Sequence, residues 1–156
     1  VGRFQAGTAF NVIPETARLC GTARTVDKPT WKRWPVIIEA IVKGVCDSMG
    51  AGYQFRFEQG YPPTVNDAAM ADRMKRVAAD VVGGDQVVVP DKTLGGEDMA
   101  FFLERVPGCF FCLGAGNDSY AGIHNPRFGF TEEILLTGVE TYCRAAVDLL
   151  GKSSTG

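Results

Sequence analysis

Three features of this chain predict an α/β fold in two parts: a β-β-α-β order over residues 1–58, an α-β-α-β-α order over 66–151, and a change of character at Gly60-Tyr-Pro-Pro63. Val1–Ala6 and Thr16–Thr25 read as strands joined through Gly7–Glu15, where Asn11 and Pro14 punctuate the connection. In the second strand Ala17, Leu19, Gly21 and Ala23 share one face, and Arg18, Cys20, Thr22 and Arg24 the other. Asp27 caps a helix reaching about Met49, with Ile38, Ile41, Val42, Val45 and Met49 in one stripe. Pro35 marks either the start of its regular part or a kink, and Gly50–Gly52 stops it. Tyr53–Glu58 alternates, the pattern of a strand with one wet face. A sheet with one helix behind it is half of an open-faced sandwich and calls for a further helix.

Beyond the boundary, Asn66 is expected to cap a helix with Met70, Met74, Val77, Ala78 and Val81 on one face. Gln86–Val89 reads as a short strand, and Asp98–Glu104 as a short helix ended by Pro107-Gly108. Cys109–Leu113 is a continuous apolar run, as in a strand buried on both faces. Thr131 caps the last helix, with Glu132 and Glu133 in its first turn and Leu135, Val139, Tyr142, Cys143, Ala146 and Leu149 as its stripe. The domains are therefore placed at 1–60 and 61–151, with 152–156 a disordered tail.

Composition narrows the function. A chain that is 46% hydrophobic and 22% charged is able to bury a core. Its net charge of −2, without basic runs, argues against nucleic acid or an anionic membrane as partner. The longest near-apolar stretch, Val36–Val42, contains Glu39 and is too short to span a bilayer. Residues 1–25 do not have the pattern of a signal peptide, and the chain begins directly in strand-like sequence, so an upstream part is expected. Five cysteines without framework spacing fit reduced thiols in a cytoplasmic protein.

Few residues point to chemistry. His124, the only histidine, lies in a Gly/Asn/Pro-rich loop between a buried strand and a helix, where open α/β sheets place their sites. Gly95-Gly96-Glu97-Asp98 opens a short helix, and its free N–H groups suit an anion such as a substrate carboxylate. Asn11 and Arg24 flank one strand connection, an amide and a guanidinium suited to a carboxylate or an oxyanion. Taken singly, each has a plainer reading that outweighs the functional one: a surface loop histidine, a turn capped by Asp98, and solvated side chains. Cys109 and Cys112 lie in an apolar strand on opposite faces and have no second pair, which disfavours a redox or zinc motif.

Together the ordered string is distinctive: Gly7-Thr-Ala-Phe-Asn11-Val-Ile-Pro14, Leu19-Cys-Gly-Thr-Ala-Arg24-Thr, Tyr61-Pro-Pro, Asn66-Asp67, Gly95-Gly-Glu-Asp98, Val106-Pro-Gly108, Leu113-Gly114 and His124-Asn-Pro126. It resembles the zinc-dependent amidohydrolase and metallopeptidase family of aminoacylases, hippurate hydrolases, auxin-conjugate hydrolases and carboxypeptidase G, most of all the N-acyl-amino-acid branch. The resemblance implies hydrolysis of N-acyl or N-aroyl amino acids by a metal-activated water. It also implies a catalytic α/β domain carrying an inserted ferredoxin-like lid used for dimerisation, of which residues 1–60 are the second half. His124 matches a metal ligand; Asn11 and Arg24 match lid residues that contact substrate; Gly95, Gly96 and Glu97 match a segment lining the pocket. The expected cofactor is a divalent metal, zinc in the first place, with manganese, cobalt or nickel as alternatives.

The family's other ligands and its general base have no counterpart here, so no catalytic residue is assigned within this chain. Because one imidazole cannot hold a catalytic metal, the isolated chain is expected to be inactive. Its expected partners are the N-terminal part of the enzyme, an N-acyl amino acid, and further copies of itself. A non-catalytic binding or dimerisation module from a split or degraded gene is the alternative.

Overall fold

The computed structural model describes residues 1–116 and 119–151; the tail expected at 152–156 lies outside the described residues. The architecture mixes helix with one small sheet and divides into two compact units. One comprises Val1–Pro63 with Lys92–Glu97; the other comprises Thr64–Asp91 and the residues from Asp98 onward. Among the described residues no helix is long and apolar enough to cross a membrane.

In the first unit, β1 (Arg3–Ala6) and β2 (Ala17–Cys20) pair antiparallel, with Arg3 opposite Cys20 and Ala6 opposite Ala17. Both strands are shorter than the alternation suggested, and Phe4 (64% exposed) and Leu19 (58%) stand cross-strand on a face left open among the described residues. Helix α1 spans Lys28–Met49, and its cap Asp27 accepts from the Thr30 N–H at 2.8 Å. Gly50, at φ 65°, closes it, and the next N–H, from Ala51, reaches Cys46 O at 2.9 Å.

Pro35 neither starts nor breaks α1, and the reason lies 24 residues further along the chain. Proline has no N–H to give to the carbonyl four residues back. That carbonyl belongs to Trp31, and the Gln59 side-chain amide donates to it at 3.0 Å. A side chain from the following segment thus replaces the lost helical bond.

Tyr53–Glu58 is not a strand, although its alternation survives: Phe55 and Phe57 are half-buried with rings 6.3 Å apart, and Arg56 pairs with Glu58 on the wet side. A strand needs a neighbour's ladder, and among the described residues this segment has none.

The second unit contains the core. Helix α2 (Ala68–Val82) buries Met74 and Val77 against Ala145 of α4 (Ile134–Gly151), and Cys109 and Phe111 pack on that cluster. Arg73 and Asp148 bridge the same two helices at 3.0 Å. The cap of α2 is Asp67, which accepts from Met70 N–H at 2.9 Å, rather than Asn66. Asn66 is engaged elsewhere: its amide donates to Phe110 O and accepts from Phe110 N–H, both at 2.8 Å. It therefore imitates a neighbouring strand for the 109–113 segment, which has no ladder among the described residues. The expected strand at 86–89 is likewise absent: Gly84–Gln86 forms one 3-10 turn, and Val88 and Val89 are exposed.

Helix α4 presents a different face from the expected one. Thr141 (3% exposed) and Ala145 are buried, whereas Leu135, Val139 and Tyr142 are exposed. Small residues win the inward position because the layer is tight: a Cβ on Gly138 would stand 3.1 Å from Leu113 Cδ2. The Thr141 hydroxyl satisfies itself on Thr137 O at 2.8 Å, so the polar side chain is buried at little cost. Glu132 and Glu133 precede α4 in a turn, with Ile134 N–H on Thr131 O at 3.2 Å, so Thr131 sits one turn before the helix. Helix α3 (Met99–Leu103) follows Asp98, whose side chain makes no capping bond, and buries Ala100.

Much surface remains open. The accessible area is 12788 Å², against about 7,700 Å² expected for a folded monomer of this mass, and about 9,200 Å² even for two free-standing domains sharing it.

Candidate functional site

In the first unit the expected substrate-binding residues fall into two places. Arg24 follows β2 past its base and donates from Nη1 to Leu94 O at 3.2 Å, immediately before Gly95-Gly96. Gly96 lies against the Tyr61 ring, where a Cβ would come within 3.1 Å of Cδ2. The guanidinium and the ring together hold the 94–96 turn. Glu97 follows, half-buried.

Asn11 stands apart. It lies in the exposed connection between Ala6 and Ala17, at the opposite end of the hairpin from Arg24, and no hydrogen bond joins the two. Gly7, at φ +66° and packed on Pro14 at 3.5 Å, turns the chain into that connection. The structure thus brings Arg24 to the 94–96 turn and does not bring Asn11 to Arg24.

His124 belongs to the second unit. Among the described residues it is the one non-glycine at positive φ, +66°, and it is exposed. Its loop is pinched by a bridge between Ala121 and Phe128 and by Asn125, whose Oδ1 accepts from Arg127 N–H and whose carbonyl accepts from Phe128 N–H, both at 2.9 Å. Tyr120 presses on Gly129 so closely that a Cβ there would overlap the ring at 2.4 Å. A left-handed conformation at a residue with a Cβ costs on the order of 1 kcal/mol. It persists here because its surroundings fix the loop, and strain of this kind clusters at functional sites.

A metal would need more than the described residues bring together. Among the described residues no group of three His, Cys, Asp or Glu stands close enough to hold an ion. All five cysteines are free. Cys109 packs on the core, and burial raises its thiol above the ordinary value, which suits neither a thiolate ligand nor a redox pair with exposed Cys112. Cys20 moves the other way: Arg3, with Nη2 at 3.6 Å from its sulfur, lowers it, with Arg18 adding to the effect.

Two residues of the first unit with structural roles, Tyr61 against Gly96 and Gln59 on Trp31 O, carried no assigned role in the sequence. Tyr61 stood within Tyr61-Pro-Pro, far from Gly95-Gly96 in the sequence, and no local signal announced their contact. Gln59 had no signal except the unpaired carbonyl that Pro35 must leave.

Comparison with known proteins adds a family. The family described as "Peptidase family M20/M25/M40" matches residues 4–148. The protein named "Putative amidohydrolase YhaA", from Bacillus subtilis (strain 168), is 38% identical over 149 residues, covering 94% of this chain and 38% of the relative. N-acetylcysteine deacetylase of the same organism is 32% identical over 151 residues, covering 96% and 38%. IAA-amino acid hydrolase ILR1-like 4 of Arabidopsis thaliana is 31% identical over 157 residues, covering 96% and 36%. The chain thus spans less than two fifths of the length of these curated relatives.

Proposed function

Because the chain belongs to peptidase family M20/M25/M40, we propose that it is the C-terminal portion of a metal-dependent amidohydrolase acting on N-acyl or N-aroyl amino acids. The observation that carries this reading is the family match over 4–148, which includes the exposed, conformationally strained His124. The names of the relatives, an N-acetylcysteine deacetylase and an IAA-amino acid hydrolase among them, support an amide-linked amino acid as substrate class.

In this reading His124 is a metal ligand. Arg24 and Asn11, with Gly95, Gly96 and Glu97, serve the substrate; Arg24 does so while anchored on Leu94 O, which leaves its remaining donors preorganised for a carboxylate. The described residues do not by themselves fit a metal ion, since a catalytic zinc takes three protein ligands, no three-donor group stands among them, and His124 is the single imidazole of the sequence. The other ligands and the general base belong to the rest of a longer polypeptide. Residues 1–60 are read as the second half of a ferredoxin-like dimerisation lid and 61–151 as the end of the catalytic domain. The free thiols support a reducing compartment, as suits a cytoplasmic protein.

The test is hydrolysis of N-benzoylglycine and N-acetyl amino acids by the pure 156-residue chain with added zinc. No turnover is expected, and rapid turnover would refute the division of the site. The absence of a three-donor cluster among the described residues also suits a non-catalytic binding module. A longer polypeptide that includes this sequence and still hydrolyses no acyl amino acid would favour that second reading.

A further inference from the structure

Residues 92–97 belong to the first unit, although the residues on either side of them in the sequence belong to the second. Two contacts hold this short excursion: Arg24 Nη1 donates to Leu94 O at 3.2 Å, and Gly96 lies against the Tyr61 ring. The first contact ties down an arginine as much as it ties down a turn. A long side chain fixed before its ligand arrives has less freedom left to lose on binding. Whatever sets Leu94 O therefore also sets the guanidinium.

Tyr61 is a stiff support for that turn. It precedes two prolines, so its own backbone is biased to extended conformations and φ of Pro62 is locked. Pro62 is buried, which anchors the pair. Gly96 is matched to the ring. Among the described residues the glycines at positive φ are Gly7, Gly50 and Gly83, so Gly96 is not required for its conformation. It is required for room: a Cβ there would stand 3.1 Å from Tyr61 Cδ2 and 3.9 Å from Cε2, the first tighter than ordinary packing. We infer that Tyr61 is a positioning residue of the substrate site: its ring sets the 94–96 turn and, through Leu94 O, aims the Arg24 guanidinium at a substrate carboxylate. The inference rests on the role proposed above for Arg24 and adds to it the residue that holds the guanidinium in place.

Its test uses neither metal nor turnover. The Arg24 Nε–H resonance of this chain is followed by NMR during titration with N-benzoylglycine, with the uncharged N-benzoylglycinamide as control. The wild-type and Tyr61→Phe chains are expected to respond to the carboxylate alone, at similar midpoints. Tyr61→Ala should raise the midpoint about tenfold, and so should Gly96→Ala, whose added Cβ displaces the ring contact. In the Tyr61→Ala background Gly96→Ala should add little. The amides of α1, capped by Asp27, report that the unit stays folded; if Tyr61→Ala loses them, Gly96→Ala decides. Unchanged midpoints in the folded variants overturn the inference alone, as does a midpoint in Tyr61→Phe as high as in Tyr61→Ala, because the ring would then not be the support. No response of Arg24 to the carboxylate in the wild-type chain overturns the inference together with the role of Arg24, and amide hydrolysis is then judged separately by the turnover assay.

Discussion

Replacing Asn66 by alanine removes both ends of a paired hydrogen bond, which allows its cost to be worked out. Two bonds of 2.8 Å to the half-buried Phe110 backbone are lost together. At roughly 1 kcal/mol net for each, the Asn66→Ala variant should open the 109–113 segment more easily by about 2 kcal/mol. That corresponds to exchange of the Phe110 amide about 30-fold faster. The Met70 amide is an internal control, because its acceptor is Asp67 and is untouched. Asn66→Asp keeps the acceptor for Phe110 N–H but sets an oxygen against the Phe110 carbonyl, so it should lose at least half as much. Phe110 exchange unchanged in Asn66→Ala, or accelerated equally at Met70, would show that the amide does not hold this segment.

Further outcomes follow from the same geometry. Gln59→Ala should destabilise α1 by about 1 kcal/mol when Pro35 is present and by much less in a Pro35→Ala background, where an N–H returns to Trp31 O; additive effects in a helicity-monitored urea titration would refute the coupling. At position 124 glycine should be more stable than alanine by about 1 kcal/mol, the reverse of their order in a helix, because φ is +66°; urea midpoints of the two variants decide it. Arg3 holds Cys20 toward thiolate while burial holds Cys109 toward thiol. At about pH 7.5 iodoacetamide should therefore label Cys20 first, and Arg3→Ala should slow that labelling by moving its pH profile upward; mass spectrometry of timed samples reads both.

What the sequence made legible is what depends on neighbours in the sequence. Asp27, the Gly50 stop and the Met74–Val77 face of α2 are local signals, and the structure keeps them. The strands at 53–58, 86–89 and 109–113 failed because side-chain pattern reports where side chains go and is silent on whether a partner supplies the ladder. The inward face of α4 was misjudged for a related reason: hydrophobicity marks the stripe that wants covering, whereas tight approach to Leu113 selects Gly138, Thr141 and Ala145. Asn66 was expected to cap a helix because capping is the commonest local role of asparagine, and its actual partner lies 44 residues away. Of the candidate site, Arg24 and the Gly95-Gly96 turn were legible as separate motifs, and their meeting through Leu94 was not.

The count of metal donors is tested most directly by equilibrium dialysis of the pure chain and its His124→Ala variant against zinc. If His124 is the chain's only contribution to a shared centre, zinc should leave both proteins on gel filtration, with His124→Ala lowering an already weak uptake. One zinc ion per chain, retained through the column by the wild-type protein and lost by the variant, would contradict that count.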